Sequence, residues 1–357
     1  MPLTTVERKG REDRKGRPVR AVIAVMAGTV MGIVLAEIAI RLTGIAPGVN
    51  PLSLTSANGM FVSSPNPLLK YVPKPQSGDI SSYGIRDREL ELAKPPGVFR
   101  IVVIGDSVAY GYCNDHESIA PEHTFPRQLE QILNRDRWAG SRTVQVVNLG
   151  VSGYDTSQEA EFLREKGLAL QPDLVLVAYC LNDAMDASYE LYVFRRKPDW
   201  AEFDRTTFAP TLGVRLFQHS HLFRLAWQRL RALSQSGEEP AGEARVESGF
   251  DEIFDMSRRH GFSVAMAIFP MFEKFDTYAR GNHHRWAREH AETRGFHVLD
   301  LLPVFRGASD DDWNRFRGRC NREHPDERGH ALAARAIGDY LQSRPELLRS
   351  NHGRSGL

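Results

Sequence analysis

The sequence predicts an α/β protein: a three-layer α/β/α fold around a doubly wound, parallel, five-stranded sheet, preceded by one N-terminal transmembrane helix. Three observations support this prediction. A 20-residue apolar segment follows a basic leader, apolar strand segments alternate with helical segments from residue 99, and the segment DLVLVAYC is apolar on both faces. Strands that are joined by helices and covered on both faces have this apolar character throughout.

The first 42 residues have the composition of a membrane anchor. Residues 1–20 contain seven basic and three acidic side chains, whereas residues 21–40 contain one charge, Glu37. About 20 helical residues cross the hydrocarbon core of a bilayer. After Arg41 the next basic residue is Lys70, so the positive-inside rule places the N-terminus in the cytoplasm and the rest in the periplasm. An uncleaved anchor is favoured, although the VLA before Glu37 also fits a signal-peptide cleavage site.

The remaining chain divides by composition. A Pro-, Gly-, Ser- and Asn-rich segment precedes residue 99, and the strand–helix alternation is interrupted by a segment rich in aromatic and basic residues, with a helix expected at 215–233. That segment is a candidate lid. The predicted parts are a basic cytoplasmic tail (1–20), a transmembrane anchor (21–42), a linker and lead-in (43–98), an α/β domain (99–345) with an insertion (186–248), and a C-terminal tail (346–357).

The elements of the α/β domain follow from its hydrophobic pattern. Strands are predicted at 99–105, 142–150, 173–180, 262–270 and 296–305. Helices are predicted at 124–136, 156–170, 249–260, 277–294 and 326–342. Thr124 is the expected N-cap of the first helix, and Thr156 with Glu159 is the expected capping box of the second.

Polar residues or glycines follow three of these strands, where the carboxyl ends of parallel strands form ligand sites. Ser107 follows the first strand in GDS, Gly153 follows the second in NLGVSGYDTS, and Asn182 follows the third in YCLND. His324, in CNREHPDERGH, precedes the last helix. Each has an ordinary interpretation as a cap, turn or loop residue. Together they supply the hydroxyl, base and N–H donors that acyl transfer needs.

The segments GDSVAYG, NLGVSGYDTSQE, LND and HPDERGH, in this order and spacing, resemble the four sequence blocks of the SGNH (GDSL) hydrolase superfamily. The resemblance spans residues 99–342, and the lead-in is similar to that of bacterial membrane-anchored members. It implies a flavodoxin-like fold and no metal or cofactor. By position, Ser107 would be the nucleophile and His324 the general base and then acid. Ser107, Gly153 and Asn182 would form the oxyanion hole.

The sequence departs from the family pattern three residues before His324, where Asn321 replaces the usual Asp. An Asn carbonyl accepts the imidazole N–H but cannot stabilise imidazolium by charge. Three explanations stay open: Asn321 orients a working Ser–His pair, another acid substitutes, or activity is largely lost. The first two together are favoured because the other four site residues are present. The candidate acids are Asp310, Asp311, Asp312 and Glu323.

All three cysteines lie near these residues in sequence. In an oxidising compartment, a bond between Cys113 and Cys320 would connect the histidine loop to the serine loop. The favoured expectation, however, is that these two and Cys180 are small, buried, unpaired residues.

The favoured function is a membrane-anchored, periplasm-facing serine esterase or deacylase. Its expected substrates are O-acyl esters, with acetyl as a candidate acyl group, on a small molecule or a cell-surface polysaccharide. The alternatives are an O-acyltransferase with the same site and a catalytically weak glycan-binding or assembly protein. A metal site of His324, Asp326 and His330 is disfavoured because a helix start disperses those side chains. With a net charge of +1, no nucleic-acid partner is expected.

Overall fold

A computed structural model describes residues 6–43, 61–184, 242–309 and 312–348, apart from 67, 70, 115–116, 313 and 322–323, together with scattered residues between 216 and 230. The chain divides into two compact units, one containing the N-terminal helix and one containing the parallel sheet. Most of the predicted insertion (186–248), and with it the candidate lid, lies outside the described residues. The candidate acids Asp310, Asp311 and Glu323 also lie outside them.

The first unit is built on helix α1, Val6–Thr43. Its segment Val19–Thr43 is long and apolar enough to cross a membrane, and a membrane anchor and a signal sequence both have this length and composition. The Glu37 carboxylate accepts hydrogen bonds from Ser220 Oγ and from the backbone N–H groups of His221 and Leu222, at 2.8–2.9 Å. The charge within the apolar segment is therefore paired inside this unit.

The second unit contains a five-stranded parallel sheet and two small hairpins. The strands are β1 Phe61–Ser63, β2 Tyr71–Pro73, β3 Val98–Gly105, β4 Tyr112–Asn114, β5 Glu117–Ser118, β6 Thr143–Asn148, β7 Leu174–Cys180, β8 Ser263–Phe269 and β9 His297–Asp300. β1 pairs with β2 and β4 with β5, both antiparallel. The order in the large sheet is β6–β3–β7–β8–β9, which is the doubly wound, flavodoxin-like arrangement. The predicted fold class is confirmed.

Helices cover both faces of the sheet. Their bounds are α2 Ser107–Tyr110, α3 Phe125–Arg135, α4 Thr156–Phe162, α5 Gly242–His260, α6 Gly281–Glu292, α7 Leu302–Ala308 and α8 Glu327–Gln342. Alternate residues of β3 point to opposite faces: Val102 packs in the apolar cluster that includes residues of α4, α5 and α6. Val103 packs in the cluster that includes residues of α3, α7 and α8. Each strand of the sheet centre is thus buried on both faces.

The predicted strand at 296–305 is too long. β9 ends at Asp300, and α7 begins at Leu302 with Pro303 in its first turn, where a missing N–H costs nothing. The Asp300 carboxylate accepts a hydrogen bond from Leu302 N at 2.9 Å, which fixes the change from strand to helix.

The predicted helix starts are also corrected. Asp155 is the N-cap of α4 and forms the capping box with Gln158, because the Thr156 hydroxyl donates instead to Asp183 Oδ2 at 2.7 Å. Thr124 occupies the N-cap position of α3, but its hydroxyl donates to the carbonyl of Pro121. α5 begins at Gly242, seven residues before the predicted start at 249.

Candidate active site

Ser107 lies at the first position of α2, two residues after the end of the interior strand β3. The turn between them is tight: a Cβ on Gly105 would lie 2.8 Å from Ala109 Cβ and 2.9 Å from Ala178 Cβ, so glycine is required. The Asp106 side chain caps α2 by accepting a hydrogen bond from Val108 N at 3.0 Å. The serine side chain is therefore held at the carboxyl edge of the sheet.

Ser107, His324 and Asn321 form a continuous hydrogen-bonded row. His324 Nε2 lies 2.7 Å from Ser107 Oγ, and His324 Nδ1 lies 2.5 Å from Asn321 Oδ1. An amide oxygen only accepts, so Nδ1 carries the ring proton and the Nε2 lone pair faces the serine hydroxyl. Asp106 Oδ2 is a more distant acceptor, 3.1 Å from Ser107 Oγ. The row thus has the geometry in which a histidine takes a proton from a hydroxyl.

Burial controls the protonation of His324. The side chain is buried, and this burial, with a smaller contribution from His330, lowers the pKa of His324 to about 3. The Tyr112 ring packs edge-on against the imidazole, with centroids 4.8 Å apart. His324 is consequently neutral at ordinary pH and able to accept a proton.

Within the described part of the chain, no carboxylate lies within hydrogen-bond distance of His324. Asp312 is exposed and accepts a hydrogen bond from Asn314 N at 3.0 Å. Asp326 caps α8 and contacts Arg328. Asn321 therefore occupies the place that an acid would take beside the imidazole.

Two loops are hydrogen-bonded to the turn that carries Ser107. Gly153 has a φ of 83°, the left-handed conformation that favours glycine, and its loop is held to the serine turn by the bond from Val151 N to Gly105 O at 3.0 Å. Asn182 Nδ2 donates to Asp106 Oδ2 at 3.0 Å, which holds the amide beside the serine. In the residues described here, the backbone N–H groups of Ser107 and Gly153 have no protein acceptor.

Buried polar contacts link these loops to one another. The Thr156–Asp183 hydrogen bond connects the helix after the Gly153 loop with the turn that contains Asn182. Burial raises the pKa of both Asp183 and the nearby Glu159 well above the ordinary carboxyl value, and Asp106 adds to the effect on both. No sequence motif predicts this pair of buried carboxyl groups.

Cys113 and Cys320 form a disulfide, so the favoured expectation of unpaired cysteines is wrong for these two. Their Cα atoms lie 4.5 Å apart although 207 residues separate them in sequence. The β4–β5 hairpin folds back against the loop that carries His324, which brings the two side chains together. Cys180 is buried and free.

The three residues of the disfavoured metal site are engaged separately. His324 contacts Ser107 and Asn321, Asp326 caps α8, and His330 Nδ1 accepts a hydrogen bond from Phe125 N at 3.2 Å. Across the described ranges, no group of three His, Cys, Asp or Glu side chains is arranged to hold a metal ion.

A small cavity of about 10 Å³ lies beside Ser107, with room for about one water-sized group. The described residues that line it are Asp106, Ser107, Val108, Cys180, Leu181, Asn182, Phe269, Pro270 and Met271. Met271 N donates to Tyr278 Oη at 3.1 Å, Tyr278 Oη lies 3.0 Å from His284 Nε2, and His284 Nδ1 lies 2.8 Å from Asp300 Oδ1. This partly buried chain of hydrogen bonds connects Met271 in the cavity wall to α6 and to the end of β9.

Comparisons with known proteins identify the family of this chain. A family model described as GDSL-like lipase/acylhydrolase matches residues 103–332, whereas no curated protein matches the chain. Among solved structures, the acetyl xylan esterase AlAXEase is 12% identical and aligns over 68% of this chain and 100% of its own, with a TM-score of 0.43. The lipase/acylhydrolase from Enterococcus faecalis is 16% identical over 69% of this chain and 96% of its own, with a TM-score of 0.40.

Proposed function

Because the chain belongs to the GDSL-like lipase/acylhydrolase family and is therefore an ester hydrolase, we propose that it cleaves O-acyl esters through an acyl-enzyme on Ser107. The observation that carries this proposal is the hydrogen-bonded row in which neutral His324 Nε2 lies 2.7 Å from Ser107 Oγ. A serine needs such a neighbouring base to become a nucleophile at ordinary pH.

The proposed reaction has two halves. In the first, Ser107 Oγ attacks the acyl carbon while His324 takes its proton, and His324 then returns that proton to the departing alcohol oxygen. In the second, His324 removes a proton from water, the resulting hydroxide attacks the acyl carbon, and the proton returns to Ser107. The N–H groups of Ser107, Gly153 and Asn182 would donate to the oxyanion in both halves.

Asn321 is proposed to orient His324 without stabilising its charged form, and Asn321→Asp is expected to raise kcat about tenfold. A hydrogen bond to a charged group contributes roughly 1.4 kcal/mol more than a neutral one, and this amount corresponds to a factor of ten in rate. The measurement is kcat for 4-nitrophenyl acetate at pH 8, with Asn314→Asp as an exposed control in the same region. An unchanged kcat would show that another acid already serves His324.

The low pKa of His324 predicts an unusual pH profile. Catalysis needs the neutral imidazole, so with a pKa of about 3 the value of kcat/KM should change little between pH 8 and pH 5. A histidine with an ordinary pKa near 6.5 would lose about thirtyfold over the same range. The check is kcat/KM against pH, with circular dichroism confirming the fold at each point. An acid limb near pH 6.5 would contradict the buried, neutral base.

The size of the cavity supports a short acyl group, with acetyl as the proposed case. A single methylene that has no room in a pocket costs about 1–3 kcal/mol, so acetate esters should be cleaved at least tenfold more efficiently than hexanoate esters. Met271→Ala enlarges the cavity and is expected to reduce this preference. Met256→Ala, the same change in a buried position of α5, serves as the control. A wild-type preference for hexanoate would refute the short-acyl assignment.

The cellular location of the protein and the molecule that accepts the acyl group are also proposed. We expect α1 to anchor the protein with its N-terminus in the cytoplasm and the sheet-containing unit in the periplasm, facing an acylated small molecule or cell-surface polysaccharide.

Hydrolysis and acyl transfer differ in the molecule that accepts the acyl group. Free acetate released at the same rate with and without an added glycan would support water as the acceptor, and a fall on glycan addition would indicate transfer.

A further inference from the structure

The β4–β5 hairpin contacts the loop of His324 through two successive residues. The Tyr112 ring packs against the imidazole, and Cys113 is bonded to Cys320. Both cysteines are buried, and with Ile119 they form a small separate cluster outside the two main apolar clusters of the sheet. The hairpin follows α2 directly, so its position depends on the same turn that presents Ser107.

The disulfide lies one residue from the group that orients the imidazole. Cys320 immediately precedes Asn321, and Asn321 N donates to the carbonyl of Cys113 at 3.0 Å. Asn321 in turn contacts His324 twice: its Oδ1 lies 2.5 Å from Nδ1, and its carbonyl accepts a hydrogen bond from His324 N at 3.2 Å. The backbone and side chain of Asn321 therefore join the disulfide to the imidazole.

Other described contacts between the hairpin and this loop are weaker. Asn114 Nδ2 donates to the carbonyl of Arg319 at 3.3 Å, and Arg319 forms an ion pair with Glu117. The arginine and glutamate side chains of this pair are 48% and 41% exposed, and exposed ion pairs contribute little to stability. The disulfide is the covalent connection between the hairpin and this loop, beside the Tyr112 packing and the hydrogen bond from Asn321 N to Cys113 O.

We propose that the Cys113–Cys320 disulfide is a positioning element for the His324 base, needed because Asn321 lacks the charge with which an aspartate would hold the imidazole. The proposal rests on the proposed roles of Ser107 and His324. Neither cysteine is expected to touch substrate. Without the disulfide, Ser107 and the N–H donors keep their places while Asn321 moves, so the effect falls on kcat rather than on KM.

The test uses the full chain with both cysteines replaced, Cys113→Ala with Cys320→Ala, and 4-nitrophenyl acetate as substrate. We expect kcat to fall roughly tenfold with KM little changed, because misplacing a catalytic group lowers the rate without removing substrate contacts. In the Asn321→Asp background the same two cysteine replacements should lower kcat less than about twofold, since a carboxylate holds the imidazole by charge. A merely structural disulfide would lower kcat by the same factor in both backgrounds.

Two outcomes would overturn the proposal: a folded variant without the disulfide that keeps the wild-type kcat, or a loss of kcat that is equally large in the Asn321→Asp background. Circular dichroism establishes folding. If the double replacement does not fold, Cys113→Val with Cys320→Ala fills the buried space and gives the same comparison. Failure of the proposed function is distinct, because the wild-type protein would then neither hydrolyse the ester nor react with a fluorophosphonate.

Discussion

Replacing Ser107 with Ala is expected to lower kcat/KM for 4-nitrophenyl acetate by about 10⁴-fold or more. The variant lacks the oxygen that forms the acyl-enzyme, and removal of the serine from a catalytic row leaves only the rate supplied by substrate binding and the oxyanion donors.

The matched control for this prediction is Ser152→Ala. Ser152 is also buried, and within the described residues its Oγ has no hydrogen-bond partner, so the change removes one buried oxygen as Ser107→Ala does. Ser152→Ala should keep most of the activity. An acyl-enzyme on Ser107 requires its hydroxyl, so a folded Ser107→Ala variant should lose far more than about tenfold in kcat/KM. If the folded variant keeps more than roughly a tenth of the wild-type kcat/KM, the mechanism is wrong.

Asn182→Ala is expected to lower kcat by about 10² to 10³, with a smaller effect on KM. The proposed role of the Asn182 amide is to donate to the oxyanion, and the loss of one such donor has this size in serine hydrolases. The interaction strengthens as charge develops on the acyl oxygen, so its loss raises the barrier more than it weakens substrate binding. Steady-state kinetics that separate kcat from KM test this prediction.

Asn134→Ala is the control for the loss of a hydrogen-bonded amide. Asn134 Nδ2 donates to the carbonyls of Glu130 and Val144, outside the row of site residues, so its replacement should lower stability without a comparable fall in kcat. A rise in KM at constant kcat in Asn182→Ala would instead mean that this amide binds the ground-state substrate.

The sequence predicts the sheet well because the hydrophobic pattern within each strand segment is enough to identify the strand. The segment Leu174–Cys180 is apolar in every position, as expected for a short strand that is buried on both faces. The errors arise where a distant partner decides the local structure. Thr156 stands at a position in the sequence that is typical of a helix cap. Its hydroxyl instead donates a hydrogen bond to Asp183, 27 residues away, and Asp155 caps α4.

The same distinction applies to the site. Ser107, Gly153, Asn182 and His324 stand in short motifs at strand and helix ends, and the structure brings Ser107, His324 and Asn321 into one hydrogen-bonded row. By contrast, Cys113 and Cys320 are separated by 207 residues in the sequence. They pair because the β4–β5 hairpin packs against the loop that carries His324, and no local motif indicates this contact.

The hydrogen-bonded chain formed by Tyr278, His284 and Asp300 is a second feature that no sequence motif predicts. Its members come from three separate segments: the loop after β8, helix α6 and the end of β9. Their polar groups meet because the sheet places β8 beside β9. The spacing of these three residues in the sequence does not indicate that they are in contact.

The most direct test of the proposed mechanism is the reaction of the full chain with a fluorophosphonate, followed by mass analysis of the labelled peptide. A nucleophilic Ser107 predicts one adduct on Ser107 in the wild-type protein, none in Ser107→Ala, and much slower labelling in His324→Ala because the base is absent. A folded wild-type protein that takes no label, or takes it on another residue, would contradict the assignment of Ser107 as the nucleophile.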